Sequence, residues 1–191
     1  MNTLAAKVSR QRHLFARFAS VCVLVALALL LLPVAAHADG YSMTQTYISA
    51  TVEADGSLTV VEGRQFDFDD DINGVFWEIN TGSNQQGGTA GVDVLSVEEE
   101  DTAFNKVDSA NKGDSGVYTV EQTGDGVRIK VFSPHESGDS AIYYVSYTMT
   151  GAVMNWVDTA ELYWKFVGDG WSADSDDVEM EVCFANAAAG T

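Results

Sequence analysis

From residue 47 onward, apolar side chains recur at every second position in short runs, and no stretch sustains a period of 3.6 residues. Alternation places successive side chains on opposite faces of an extended chain, so each run reads as a strand with one face in a core. Residues 47–54 carry Ile48, Ala50 and Val52 on one side, and residues 141–149 carry Tyr143, Val145, Tyr147 and Met149 together. Residues 178–184 turn Val178, Met180, Val182 and Phe184 inward and Glu179 and Glu181 outward. Further runs cover 58–68, a strand starting near Val75, 92–100, 104–107, 117–121 and 127–132. Turn signals punctuate them: Asp55-Gly56, Thr123-Gly124-Asp125-Gly126, the loop around Pro134 and the Gly-rich stretch 81–91. The pattern predicts an all-β fold, an antiparallel immunoglobulin-like β-sandwich of about 8–10 strands. One short helical turn, at 154–159, is the most helix it allows.

The densest aromatic stretch is 159–171, TAELYWKFVGDGW. Leu162, Trp164 and Phe166 fall at period two, which predicts a penultimate strand with Trp164 as a core anchor. Gly168-Asp169-Gly170 then turns the chain, and Trp171 closes over the sheet edge.

Residues 1–38 belong to export rather than fold. Lys7, Arg10, Arg12 and Arg17 form a basic start, 21–34 is apolar, and Ala36-His37-Ala38 has the small-x-small form of a cleavage site. The apolar run is shorter than the roughly 20 residues of a membrane span. The expected division is therefore a signal peptide, 1–38, and a single domain, 39–191, exported to the extracytoplasmic face of the membrane or secreted. Val21 before Cys22 is not the small residue that precedes a lipidated cysteine.

Charge narrows the partners. All 28 acids but only six of the ten bases follow residue 38, a net charge of −22 there. Such a surface repels nucleic acid and anionic headgroups and favours cations and basic partners. Cys183 is the one cysteine after the leader, so no intrachain disulfide is expected. Period two puts Cys183 on the outer side with Glu179 and Glu181. The usual burial of free thiols favours a place beneath a neighbouring loop instead.

Three groups of side chains have the composition of a site. Asp69, Asp71, Asn73 and Gly74 match the first half of a calcium loop, where alternate oxygens converge on one cation. Position 12 of that loop is Asn80, which lacks the bidentate carboxylate. The alternative is a solvated acidic turn between strands. Asp174, Asp176 and Asp177, with Asp158 and Glu161 nearby, set carboxylates beside Trp and Tyr, a combination found in sugar-cleaving sites. His135 lies between Ser133 and Ser137, but local spacing does not make a triad, and one His with one Cys cannot supply a zinc set. No catalytic residue, metal ligand or cofactor is assigned on these grounds, and no enzyme activity is expected.

A family resemblance rests on three blocks. The first is Tyr47-Ile48 followed by Asp55-Gly56-Ser57-Leu58-Thr59-Val60-Val61-Glu62. The second is Gly74-Val75-Phe76-Trp77-Glu78-Ile79, and the third Glu161-Leu162-Tyr163-Trp164-Lys165-Phe166-Val167-Gly168 with Trp171. Together they resemble the N-terminal extracytoplasmic domain of the DUF2207 predicted membrane proteins of bacteria. The resemblance implies a membrane region C-terminal to this domain, which this sequence does not reach, and through which alone the domain would be membrane-attached. It implies no established activity. The expected function is a binding or structural module of a membrane-anchored envelope protein, with an unknown protein or envelope ligand as partner. A calcium-stabilised adhesion-type module and a carbohydrate-active domain are the alternatives.

Overall fold

The computed structural model describes residues 40–81, 91–124, 126–168 and 170–185. The expected signal peptide and most of the expected Gly-rich loop at 81–91 lie outside the described residues. Twelve strands follow in chain order: β1 Tyr41–Val52, β2 Leu58–Phe68, β3 Ile72–Asn80, β4 Gly91–Glu99, β5 Thr102–Ala103, β6 Asn105–Lys106, β7 Val117–Gln122, β8 Gly126–His135, β9 Ser140–Thr150, β10 Val153–Asn155, β11 Ala160–Leu162 and β12 Val178–Phe184. No helix occurs among the described residues, and the stretch expected to turn helically contains β10 instead. The protein is all-β, as its periodicity predicts.

A six-stranded sheet runs β12-β1-β2-β9-β4-β5, a four-stranded sheet β3-β8-β7-β6, and β10 and β11 form a separate hairpin. The long pairings are antiparallel, but β12 joins β1 in parallel, Thr46 opposite Val178 through Val52 opposite Phe184. The β1–β2 turn confirms its Asp-Gly signal. Gly56 has φ 83°, and the Asp55 carboxylate accepts from both the N–H and the hydroxyl of Ser57.

The inner faces of the two larger sheets meet. Leu58, Val60, Phe66 and Phe68 of β2 and Tyr143, Val145, Tyr147 and Met149 of β9 are buried, as are Val75, Trp77 and Ile79 of β3 and Val127, Ile129 and Val131 of β8. Phe66 and Trp77 meet edge to face, 6.0 Å between centroids. A bulge between Met43 and Gln45 lets both Met43 and Thr46 point inward, so β1 extends six residues before the alternating run that announces it. A second bulge at the start of β3 depends on Gly74. At φ 144°, a Cβ there would sit 1.8 Å from the Val131 carbonyl oxygen.

Two expectations fail at the C-terminal end. The chain leaves strand geometry after Leu162, so Trp164 belongs to neither large sheet and is only half-buried. It packs against the core from outside, with Leu162, Phe166 and Trp171. The second failure is on β12. Its even residues share a face with the buried Ile48, Ala50 and Val52, yet Val178, Met180 and Phe184 remain 46%, 49% and 62% exposed.

Candidate functional site

The inward face of β2 reads Leu58, Val60, Glu62, Arg64, Phe66, Phe68. Four apolar residues enclose two charged ones. Glu62 and Arg64 are 4% and 1% exposed. Two residues apart on one strand, they point the same way, and the Arg64 Nε donates to Glu62 Oε1 at 2.7 Å while Nη2 closes the ion pair on the same oxygen. Burying either charge alone would be costly, and the pairing offsets that cost.

Arg64 also fastens the segment before β12. Its Nη1 donates to Ser175 Oγ at 3.0 Å, and its guanidinium lies over the Trp171 ring, 4.4 Å from the centroid. Trp171 in turn meets Trp77 edge to face at 5.0 Å and Phe66 at 5.8 Å. Burial pushes the Glu62 carboxyl up from the usual carboxylate range, against the pull of Arg64 and a smaller one from the Trp77 indole. That indole N–H closes no hydrogen bond of ordinary geometry. The Tyr147 phenol is pushed up by burial and by the Glu62 charge. The cluster is a polar core that locks 171–175 onto the sandwich.

A second cluster lies at the end of β8. His135 stacks on Phe68, 4.9 Å between centroids, and its Nε2 is 2.9 Å from the Tyr143 hydroxyl and 3.2 Å from Glu99 Oε1. Ser133 Oγ donates to Glu99 Oε2 at 2.5 Å and lies 3.4 Å from the same His135 nitrogen. A hydrolytic triad needs the imidazole between serine and acid, with a different nitrogen for each. Here Nε2 faces all three groups, Nδ1 has the Asp139 carboxylate at 3.8 Å, beyond hydrogen-bond reach, and the serine proton already has a carboxylate. Burial, more than the Glu99 charge, pushes the Tyr143 phenol up. His135 is thus a packed residue that ties β8, β9 and β4 together.

The acidic turn is tied to Gly40 and Ser137. The N–H groups of Asp69 and Asp70 both donate to the Gly40 carbonyl, Asp71 Oδ1 accepts from the Ser137 N–H, and Asn73 continues into β3. Among the described residues, no group of three or more His, Cys, Asp and Glu side chains is placed to hold a metal ion. Trp156 is 48% exposed with its indole N–H tied to Glu161, while Trp77, Trp164 and Trp171 turn toward the core, so no platform of open Trp rings forms. Cys183 is exposed. The expectation of a buried thiol fails because β12 is the last strand of its sheet and its outer side, with Glu179 and Glu181, lies open. The Glu62–Arg64 pair was missed by sequence reasoning, although period two through 58–68 marks it.

The β12 edge is accessible. A cleft of about 250 Å³ opens at its end, between the β1–β2 turn and the β10–β11 hairpin, lined by Phe184, Val52, Val153 and Leu162 with Glu53 and Asp55.

No curated protein matches this sequence. Among solved structures, an M1 zinc metallopeptidase from Deinococcus radiodurans aligns at 12% identity and TM-score 0.35, over 57% of this chain and 20% of that one. A leukotriene A4 hydrolase from Saccharomyces cerevisiae aligns at 12% and 0.33, over 65% and 18%. This chain thus spans about a fifth of either enzyme, and likeness at that level carries no argument about activity. Residues 42–190 match the family model described as the N-terminal domain of a predicted membrane protein, DUF2207, and the chain belongs to that family.

Proposed function

We propose that this domain is a non-enzymatic module on the extracytoplasmic face of a membrane-anchored envelope protein, and that it acts by binding. One observation carries the binding reading. The Glu62–Arg64 and Ser133–His135–Glu99 groups are closed on one another, whereas Val178, Met180 and Phe184 stand exposed along β12, an edge of the six-stranded sheet. Membership in a family of predicted membrane proteins and the basic-apolar leader support the address. No helix among the described residues is long and apolar enough to cross a membrane.

Cys183 supplies the test. It is exposed, and the other cysteine, Cys22, lies in the leader. A membrane-impermeant maleimide added to intact cells should label the protein, and Cys183→Ser should abolish the label. Labelling only after lysis would place the domain inside the cell. A fluorophosphonate probe that reacts at Ser133 would overturn the non-enzymatic reading.

A further inference from the structure

We infer that the β12 edge takes up one extended peptide strand in which apolar residues alternate with Lys or Arg. The backbone settles which groups are on offer. The Asp177 carbonyl accepts from the Thr46 N–H, and the Ala185 N–H donates to the Val52 carbonyl. In a parallel ladder both backbone groups of a residue point to the same side, and sides alternate along the strand. The odd residues of 177–185 therefore face β1. Val178, Met180, Val182 and Phe184 direct their N–H and C=O groups at the open edge.

Three of these residues, Val178, Met180 and Phe184, carry exposed apolar side chains on the inner face, Val182 between them packs against the core, and the apolar strip runs into the cleft at Phe184. An added strand would complete the ladder and cover the strip in one step, the mode by which sheet edges recruit extended peptides.

Charge selects the occupant. Glu179 and Glu181 line the outer face of β12, and Glu53 and Asp55 stand at the cleft. Across a strand pair, Lys or Arg opposite Glu is favourable and like charges are not. A second copy of this chain would set Glu179 and Glu181 against their own kind and bring together two domains of net charge −22. Anionic headgroups are disfavoured for the same reason. The fitting ligand is a segment that is apolar on its inner side and basic on its outer.

The probe is a fluorescein-labelled peptide of about nine residues, the length of a generous strand, alternating Lys with Val. Fluorescence anisotropy should show saturable binding to the protein. Peptides with Ser for Val, or Glu for Lys, should bind at least about tenfold more weakly. Met180→Pro removes an N–H that points at the open edge and none that β1 uses, so it should abolish binding with little change in melting temperature. Met180→Glu, which spoils the apolar strip without touching the backbone, should do the same and serves if the proline variant fails to fold. Equal binding of the Ser peptide, unchanged binding by either folded variant, or a dimer in sedimentation would overturn the inference. The inference rests on the binding reading above, whose address is tested separately by Cys183 labelling. A correctly exported domain that ignores the peptide would defeat this inference and leave the address standing.

Discussion

Replacing Arg64 with Met tests the account of the core most directly. Met keeps much of the side-chain length but removes the charge that Glu62 is paired with, the donor to Ser175 and the cation over Trp171. Leaving one partner of a buried pair uncompensated costs about 3–5 kcal/mol. For a chain of this size, each kcal/mol lowers the melting temperature by about 2–4 °C, so Arg64→Met should lower it by about 6–20 °C. The loss should depend on pH with a definite sign. Burial raises the folded-state pKa of Glu62 above the ordinary 4.5, and without Arg64 that effect has lost its main opponent. The protonated carboxyl is then favoured in the fold. The variant is least impaired below about 4.5 and loses stability as pH rises through the raised folded value. Adding Glu62→Leu should restore most of the lost stability, because an apolar pair of similar volume carries no stranded charge. Calorimetry of the unaltered protein and the two variants at pH 5 and pH 8 decides the matter. A single-variant loss under about 1 kcal/mol, or a double variant no more stable than Arg64→Met, would show that water reaches the pair and that the closed polar core is wrong.

Trp171→Ala should cost about 3 kcal/mol, the lower end for a large-to-small change because the ring is only partly buried, and should exceed the cost of Trp164→Ala in the same thermal melts. Gly74→Ala should leave little folded protein by circular dichroism, since its Cβ would overlap the Val131 carbonyl at a backbone angle that side chains rarely adopt. Removing the inner-face hydroxyl with Ser133→Ala strands no donor but leaves the Glu99 carboxylate without its closest partner, for a loss of about 1–3 kcal/mol in urea titration. Millimolar calcium should leave the melting temperature unchanged, because Ser137 already engages Asp71 and no group of three or more His, Cys, Asp and Glu side chains among the described residues is placed to hold a metal ion; a rise would restore the calcium-loop reading.

The alternation of 58–68 and 178–184 was enough to place β2 and β12 at their observed ends, because a strand that faces a core must keep its period. It also carried more than was read from it. Glu62 and Arg64 occupy inward positions of an otherwise apolar face, a conflict between pattern and polarity that signals a buried pair. The bulge at Met43 hid the first half of β1, since one extra residue reverses the alternation around it. The 159–171 stretch misled for the opposite reason. Leu162, Trp164 and Phe166 do alternate in burial, but no backbone partner lies alongside after Leu162 in either large sheet, and period two alone cannot tell a strand from an extended cover.

The same limit explains β12. Periodicity says which residues share a face; it does not say whether a second layer lies over that face. Met180 pairs with Ile48, which is fully buried, and differs from it only in standing one strand nearer the edge of the six-stranded sheet. Sequence therefore assigned four apolar residues to a core that reaches only Val182 and leaves Val178, Met180 and Phe184 open. An apolar face that the fold builds and leaves uncovered, on a strand whose outward backbone groups are unpaired within its sheet, is costly in water and invites association. The acids on its other side bias that association away from copies of itself. The stability of the domain and the proposed binding edge thus rest on strands separated only by β1: Glu62 and Arg64 on β2 hold the segment that leads into β12, and β12 presents the edge. Loosening the first should weaken the second, so Arg64→Met should reduce peptide uptake even below its melting transition. Unimpaired uptake would show that β12 holds its place through β1 alone.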